Sequence, residues 1–161
     1  MTAPTAPLVR PAHHPPGELA IALPPGREAP GLARRRAAGF LDGLRPPLAP
    51  GRRDDILLIV SELVTNAVVH APGPYALALT ADADAGTVDV AVDDGSTAAP
   101  VPRRPDATAA TGGRGLRIAE DLGARLFTEP VPGGKRVHAT LAPSPCRAGM
   151  RPVLFGGGMD D

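Results

Sequence analysis

Hydrophobic and polar positions follow two different periods along the middle of this chain. Between Gly51 and Ala71 the apolar residues recur at spacings of three and four, which predicts an amphipathic helix. The stretches 75–82 (YALALTAD) and 87–94 (TVDVAVDD) alternate with a period of two, and the short DADAG segment between them is typical of a β-hairpin. Both kinds of element must bury an apolar side, so the pattern indicates helices packed on a sheet.

The remaining elements are predicted from shorter patterns and from the prolines and glycines that end them. In chain order they are a strand at 18–23, a helix from Arg27 to Leu44, a helix at 111–123, and a strand pair at 124–130 and 135–142. The resulting order is β-αα-ββ-loop-α-ββ. We therefore expect an α+β two-layer sandwich, with a mixed, mainly antiparallel sheet and helices on one face.

Composition divides the chain into an ordered middle and two loose ends. With 161 residues, the chain is long enough for one domain with its own core. Residues 1–17 are rich in proline and lack apolar periodicity, which predicts a disordered arm. Residues 142–161 are expected to form a flexible tail, so the domain is expected to span 18–141.

Charge and aromatic content exclude several classes of protein. The 17 basic and 17 acidic residues leave no basic field for nucleic acid, and the chain has no Trp, one Tyr and three Phe for stacking bases. No apolar run approaches a membrane span, and no apolar signal-peptide core begins the chain. The single cysteine, Cys146, cannot form an internal disulfide. These features favour a cytoplasmic protein without a membrane or nucleic-acid partner.

The helix segment 61–71 (SELVTNAVVHA) carries polar residues at intervals of four. Glu62, Asn66 and His70 therefore lie on one edge of a helix whose other positions are apolar. A carboxylate and an amide at the border of a buried face are costly unless they bind something. The alternative is a solvent-exposed edge on which Glu62 and Asn66 hydrogen-bond to each other.

Two further motifs lie downstream. The strand at 87–94 ends in Asp94-Gly95-Ser96, which is either an ordinary Asp-Gly turn or a carboxylate held at a pocket to accept a hydrogen bond from an amino group. The segment 111–118 (TGGRGLRI) places glycines before a helix, where free backbone N–H groups bind phosphate well. A flexible entry to the helix is the alternative. The segment is neither a Walker loop nor a Rossmann fingerprint.

The order and separation of these motifs resemble the GHKL-type ATPases, whose fold is the Bergerat fold of histidine-kinase catalytic domains, Hsp90 and gyrase B. SELVTNAVVHA resembles the N box of that superfamily, DDGS its first glycine box and GGRGL its second. Within it, the chain is most similar to the small bacterial anti-sigma-factor serine kinases of the RsbW/SpoIIAB type, in their actinobacterial form. The resemblance covers roughly residues 18–141.

The resemblance implies ATP and Mg²⁺ as cofactors and gives individual residues expected roles. Asn66 matches the residue that holds Mg²⁺, and Glu62 matches the proposed general base. Asp94 matches the carboxylate that recognises the amino group of adenine, and residues 97–111 match the ATP lid. The phosphates would be held by the backbone of Gly113, Arg114, Gly115 and Leu116. His70 would lie near the nucleotide or serve a structural role.

The sequence also departs from the family pattern. Ser96 and Ala98 stand where glycines of the first glycine box are usual, and Lys135-Arg136 follows Gly134 where a threonine is frequent. Arg136 would contact a phosphate or face solvent. No phospho-accepting histidine helix precedes the domain in this sequence, which argues against a complete sensor histidine kinase.

Two functions therefore stand as hypotheses. The first is a serine/threonine protein kinase that transfers the γ-phosphate of ATP to an anti-anti-sigma (STAS) partner and so controls a sigma factor. The second is a non-catalytic ATP-binding module that regulates a partner by occupancy. The resemblance also implies a possible homodimer, whereas the identity of the sigma factor and of the STAS partner is beyond the sequence.

Overall fold

The computed structural model describes residues 17–97 and 114–142. Its elements are β1 (Glu18–Leu23), α1 (Glu28–Gly43), α2 (Arg52–His70), β2 (Tyr75–Asp82), β3 (Thr87–Asp94), α3 (Arg114–Asp121), β4 (Ala124–Val131) and β5 (Gly134–Leu141). This is the predicted order, and the α+β fold class is confirmed. Residues 1–16 of the predicted arm, 98–111 of the predicted lid and 143–161 of the predicted tail lie outside the described residues.

The five strands form one sheet in the order β1-β2-β3-β5-β4. We expected a mixed, mainly antiparallel sheet, and every pairing between the described strands is antiparallel. Two tight connections favour this arrangement. Gly86 (φ 66°) lies in the β2–β3 turn and Gly133 (φ 81°) in the β4–β5 turn, both in the left-handed region that hairpin turns require.

The core lies between one face of the sheet and the helices. Alpha helix α1 packs on α2 through small residues spaced by four, which let the two helix backbones approach closely: Ala29, Ala33 and Ala37, followed by Leu41. Helix α2 supplies the larger buried side chains, among them Ile56, Ile59, Val60 and Val64, and packs on the sheet. No helix in the described ranges is long and apolar enough to cross a membrane.

The pleat of β3 sends alternate side chains to opposite faces of the sheet. Val88, Val90 and Val92 are buried in the core beneath the helices, and Asp94 continues this face. Asp93 belongs to the opposite face, which we call the open face. Strand β5 pairs with β3 so that Lys135 lies opposite Asp94 and Arg136 lies opposite Asp93. Each carboxylate of this strand end thus receives a cation from the same neighbouring strand.

Candidate functional site

The polar edge of α2 meets the first turn of α3. Glu62 and Asn66 are half-buried there, beside the buried Leu63 and Ala67 of the same helix. The space beside them is filled by Gly115. A Cβ atom on Gly115 would lie 2.6 Å from Glu62 Oε2 and 3.0 Å from Asn66 Nδ2. Gly115 therefore forms one close cluster with Glu62 and Asn66 of α2, and a side chain at this position would require these neighbours to shift.

Glu62 and Asn66 do not pair with each other. In the portion of the chain that the structure describes, no hydrogen bond joins their side chains, so the alternative of a locally satisfied Glu–Asn pair is not what the fold adopts. The amide atom of Asn66 nearest to the Gly115 position is Nδ2. A carboxylate and an amide oxygen are left near the entry to α3, at the border of the core.

A second convergence lies beyond the C-terminal end of α2. Gly95, which directly follows β3, donates its backbone N–H to the carbonyl oxygen of Pro72 at 2.7 Å. A Cβ atom on Gly95 would lie 2.7 Å from the carbonyl oxygen of Gly73, so the two backbones are in direct contact. This packing ties the end of β3 to the loop after α2. The site therefore has two parts, both attached to the same helix.

Asp94 occupies the second part and is the one buried charged side chain among the described residues, at 5% exposure. Its Oδ1 accepts the backbone N–H of Ser96 at 2.8 Å, as in an Asx-type turn. The same oxygen accepts a hydrogen bond from Lys135 Nζ at 3.0 Å. The turn expected from the Asp-Gly sequence is therefore present, and its carboxylate is buried and paired with Lys135.

Lys135 and Gly134 are site residues that the sequence did not assign. The side chain of Lys135 is only 16% exposed and lies across from Asp94 in the β3–β5 ladder. Gly134 packs so closely that a Cβ atom there would overlap the carbonyl oxygen of Asp94. The sequence did show that Lys135 and Arg136 follow Gly134 where the family often has a threonine. Which of the two side chains faces Asp94 depends on the strand register, and the motif alone does not give that register.

The other predicted site residues are distributed as follows. Gly113 lies outside the described residues. Arg114 begins α3, and Leu116 in the same turn is half-buried and packs against the core, as a backbone role for this turn allows. His70 is the last residue of α2 and is exposed. It therefore lies at the C-terminal, negative end of the helix dipole and is not part of the cluster around Gly115.

The open face carries a separate charged cluster. Arg136 donates from Nε and Nη2 to the two carboxylate oxygens of Asp93 at 2.5 and 2.8 Å. The hydrogen bond to Asp93 is the main cause that raises the pKa of Arg136 above its ordinary value, with burial opposing it. Nearby, His138 contacts Asp89 at 2.8 Å and stacks on Phe127. Arg136 was expected either to contact a phosphate or to face solvent, and in the fold it lies on the open face with its side chain 37% exposed.

The first part of the site has the donors of a magnesium site that is completed by a ligand. Mg²⁺ prefers oxygen donors and keeps several waters or phosphate oxygens, so one or two protein oxygens suffice. The side-chain amide of Asn66 supplies such an oxygen, beside a cradle that a Cβ atom on Gly115 would fill. Within residues 17–97 and 114–142, no group of three or more His, Cys, Asp or Glu residues is arranged to hold a metal unaided. The residues present therefore fit Mg²⁺ that arrives with a phosphate ligand.

A family model and two solved structures are similar to this chain. The family HATPase_c_2, described as the histidine kinase-like ATPase domain, matches residues 27–141. The blue-light activated histidine kinase of Erythrobacter litoralis EL346 is similar at 22% identity and a TM-score of 0.47, over 71% of this chain and 40% of that one. A structure of its histidine kinase domain gives 22% identity and a TM-score of 0.45, over 71% of this chain and 61% of that one.

This chain therefore spans less than two thirds of the length of either solved structure. Among curated proteins, no sequence matches it.

Proposed function

This chain belongs to the histidine kinase-like ATPase domain family, and from that premise we propose that it binds ATP with Mg²⁺ and phosphorylates a protein partner on serine or threonine. The proposed class is that of the RsbW/SpoIIAB-type anti-sigma-factor kinases. Their partner is a STAS-domain anti-anti-sigma protein, and the regulated protein is a sigma factor. We further propose a cytoplasmic location and a homodimer, in line with the resemblance.

The observation that carries the proposal is the contact between α2 and α3. Gly115 leaves space for Glu62 and Asn66 at the point where α3 begins, and a side chain at this position would close it. The first turn of a helix offers free backbone N–H groups to phosphate oxygens. Backbone N–H groups that can bind phosphate, an amide that can bind a cation and a carboxylate that can act as a base thus lie together where α3 meets α2.

The residues of the chain divide the work of phosphoryl transfer. Mg²⁺, when bound with ATP, neutralises charge on the phosphates, and Asn66 would hold it through its amide oxygen. Glu62 would accept the proton of the incoming hydroxyl as that oxygen bonds to the γ-phosphorus and the bond to the bridging oxygen of ADP breaks. Asp94 would accept a hydrogen bond from the adenine amino group. The α3 backbone at Arg114, Gly115 and Leu116, with that of Gly113, would hold the phosphates.

The kinase proposal is tested by phosphate transfer. The full chain is incubated with γ-labelled ATP, Mg²⁺ and a candidate STAS protein, beside the variant Glu62→Gln. We expect label on the partner with the wild type and a loss of at least about a hundredfold with Glu62→Gln, since general-base catalysis contributes on this order. ATP binding, measured by calorimetry, should persist in the variant. Transfer at the wild-type rate would remove Glu62 from this role.

Asn66→Ala tests the cation site separately. We expect it to abolish the Mg²⁺-dependent part of ATP affinity, because the amide oxygen is lost while the α3 backbone remains. Thr65→Ala is the matched control, since Thr65 is the exposed neighbour on the same helix. Unchanged Mg²⁺ dependence in Asn66→Ala would refute the assignment.

A second candidate function is the non-catalytic module that acts by occupancy. It is favoured by the replacement of two usual glycines with Ser96 and Ala98 and by the ion pair that already engages Asp94. ATP binding without label transfer to any STAS partner would select this function over the kinase.

A further inference from the structure

We propose that Lys135 is a specificity-determining residue that reads the purine base together with Asp94, an inference that rests on the proposed binding of ATP. In this proposal, Asp94 accepts a hydrogen bond from the exocyclic amino group of adenine, and Lys135 donates one to the neighbouring ring nitrogen N1. The base is thereby recognised by an acceptor and a cationic donor side by side, in place of a carboxylate alone.

The register of the sheet fixes the two side chains next to each other. Asp94 and Lys135 are directly opposed on β3 and β5, and directly opposed residues place their side chains on the same face. That face is the one covered by the helices and occupied by the candidate site. The Lys135 Nζ lies 3.0 Å from Asp94 Oδ1, and the two side chains are 16% and 4% exposed.

The pair is held rigidly, as a recognition element requires. Gly134 packs directly on the Asp94 carbonyl, and Gly95 is bonded to Pro72, so the backbones on both sides of the pair are fixed. Asp94 Oδ1 also accepts the N–H of Ser96. In the described part of the chain, both hydrogen bonds to this carboxylate therefore converge on Oδ1, which leaves Oδ2 as the oxygen for an amino group.

The chemistry of the pair matches one edge of adenine. The exocyclic amino group at C6 is a donor, and the adjacent N1 is an acceptor, so they complement a carboxylate and an ammonium in the same order. An ammonium has three N–H donors, which lets Lys135 keep its bond to Asp94 while it donates to N1. A hydrogen bond from a charged donor contributes more than one from a neutral donor. This explains how the site retains base recognition without the frequent threonine hydroxyl.

The inference is tested first on the unaltered protein with base analogues. Calorimetry compares ATP with 1-deaza-ATP, which replaces N1 by C–H, and with 7-deaza-ATP as a control that removes a different ring nitrogen. We expect 1-deaza-ATP to bind about tenfold more weakly than ATP, the loss of one charge-assisted hydrogen bond. We expect 7-deaza-ATP to bind within about twofold of ATP.

The variants Lys135→Met and Arg136→Met then assign the effect to a side chain. Both remove one cation from β5, but from opposite faces of the sheet. In Lys135→Met, ATP should bind about tenfold more weakly, and ATP and 1-deaza-ATP should bind equally. In Arg136→Met, the preference for ATP over 1-deaza-ATP should persist. Circular dichroism shows whether each variant is folded, and the analogue series on the wild type stands if Lys135→Met is not.

Three results would overturn the inference. Equal binding of ATP and 1-deaza-ATP to the wild type removes the contact to N1. A preference for ATP that persists in Lys135→Met assigns that contact to another residue. Tighter ATP binding in Lys135→Met shows that Lys135 competes with the base for Asp94. No binding of ATP to the wild type at all is a different result, because it overturns the proposed function and this inference with it.

Discussion

Asp93 and Asp94 are consecutive residues of one strand, and each forms an ion pair with a residue of β5. The Asp93–Arg136 pair lies on the open face, with side chains 26% and 37% exposed. The Asp94–Lys135 pair lies on the helix-covered face, with side chains 4% and 16% exposed. The two pairs join the same two strands in the same register, so their difference in exposure comes from the face of the sheet.

The comparison shows how burial separates a surface contact from a candidate binding element. An exposed ion pair is screened by water and contributes little, about 0–1 kcal/mol. A buried pair costs desolvation, and each partner depends on the other because an unpaired buried charge is strongly unfavourable. A fold retains such a pair more readily when its charges serve recognition, which is the role proposed here for Asp94 and Lys135.

Gly134→Ala breaks both pairs at once and has the largest expected effect. A Cβ atom there would overlap the Asp94 carbonyl oxygen, so the start of β5 must move away from β3. We expect a loss of about 3 kcal/mol in the free energy of unfolding, at the high end for overpacking. Urea denaturation of the full chain measures it.

The adjacent Gly133→Ala is the control for this prediction. Gly133 has φ 81° and no atom within 4 Å of its added Cβ, so it carries only the conformational strain of a left-handed residue, about 1 kcal/mol. Equal losses in the two variants would mean that contact with Asp94 is not what requires glycine at 134.

Asp94→Asn and Asp93→Asn separate the two faces. Asp94→Asn leaves the ammonium of Lys135 largely buried without its counter-charge, and we expect a loss of about 2 kcal/mol in the free energy of unfolding together with loss of ATP affinity. Asp93→Asn should cost at most about 1 kcal/mol and leave ATP affinity intact. If both variants lost stability and ATP affinity to the same degree, the proposed difference between the two faces of the sheet would be wrong.

Salt concentration sharpens the same contrast. In Arg136→Met, the small loss of stability should largely disappear in about 1 M NaCl, where the screening length falls to about 3 Å. In Lys135→Met, most of the loss should remain, because a buried pair is screened much less. Denaturation curves at low and high salt measure both. The same salt dependence in the two variants would contradict the assigned difference in burial.

A third ion pair, fully on the surface, gives the smallest expected effect. The Arg53 guanidinium bonds to both carboxylate oxygens of Asp42 at 2.6 and 3.0 Å and joins α1 to α2. The hydrogen bond from Arg53 is the main cause that lowers the pKa of Asp42 below its ordinary 3.8. A carboxyl whose folded pKa is lowered adds stability above its unfolded pKa and loses it as the pH falls through the folded value.

Asp42→Asn should therefore be slightly less stable than the wild type near pH 7, and the gap should narrow below about pH 3.8. Thermal unfolding at several pH values measures the gap. Asp54→Asn is the control, since Asp54 is more exposed and farther from Arg53, at 3.6 Å. A gap that widens in acid would reverse the assigned direction.

Much of the fold followed from local pattern. The period-two stretches and the amphipathic run of α2 predicted their elements to within a residue or two, because apolar periodicity and turn residues act over short distances. The site was predicted in part. Glu62 and Asn66 were singled out by their helical spacing, whereas the space that Gly115 leaves beside them depends on how α3 packs on α2.

The sequence by itself singled out Glu62, Asn66 and Asp94 and placed them on their elements, but it did not assign Lys135 to the site. The tertiary structure alone decided which of them meet. The pairing of Asp94 with Lys135 depends on the strand register between β3 and β5, which packing sets between residues 41 positions apart in sequence. If the register shifted by one residue, Arg136 would lie beneath the helices in place of Lys135, because the side-chain period of a strand is two.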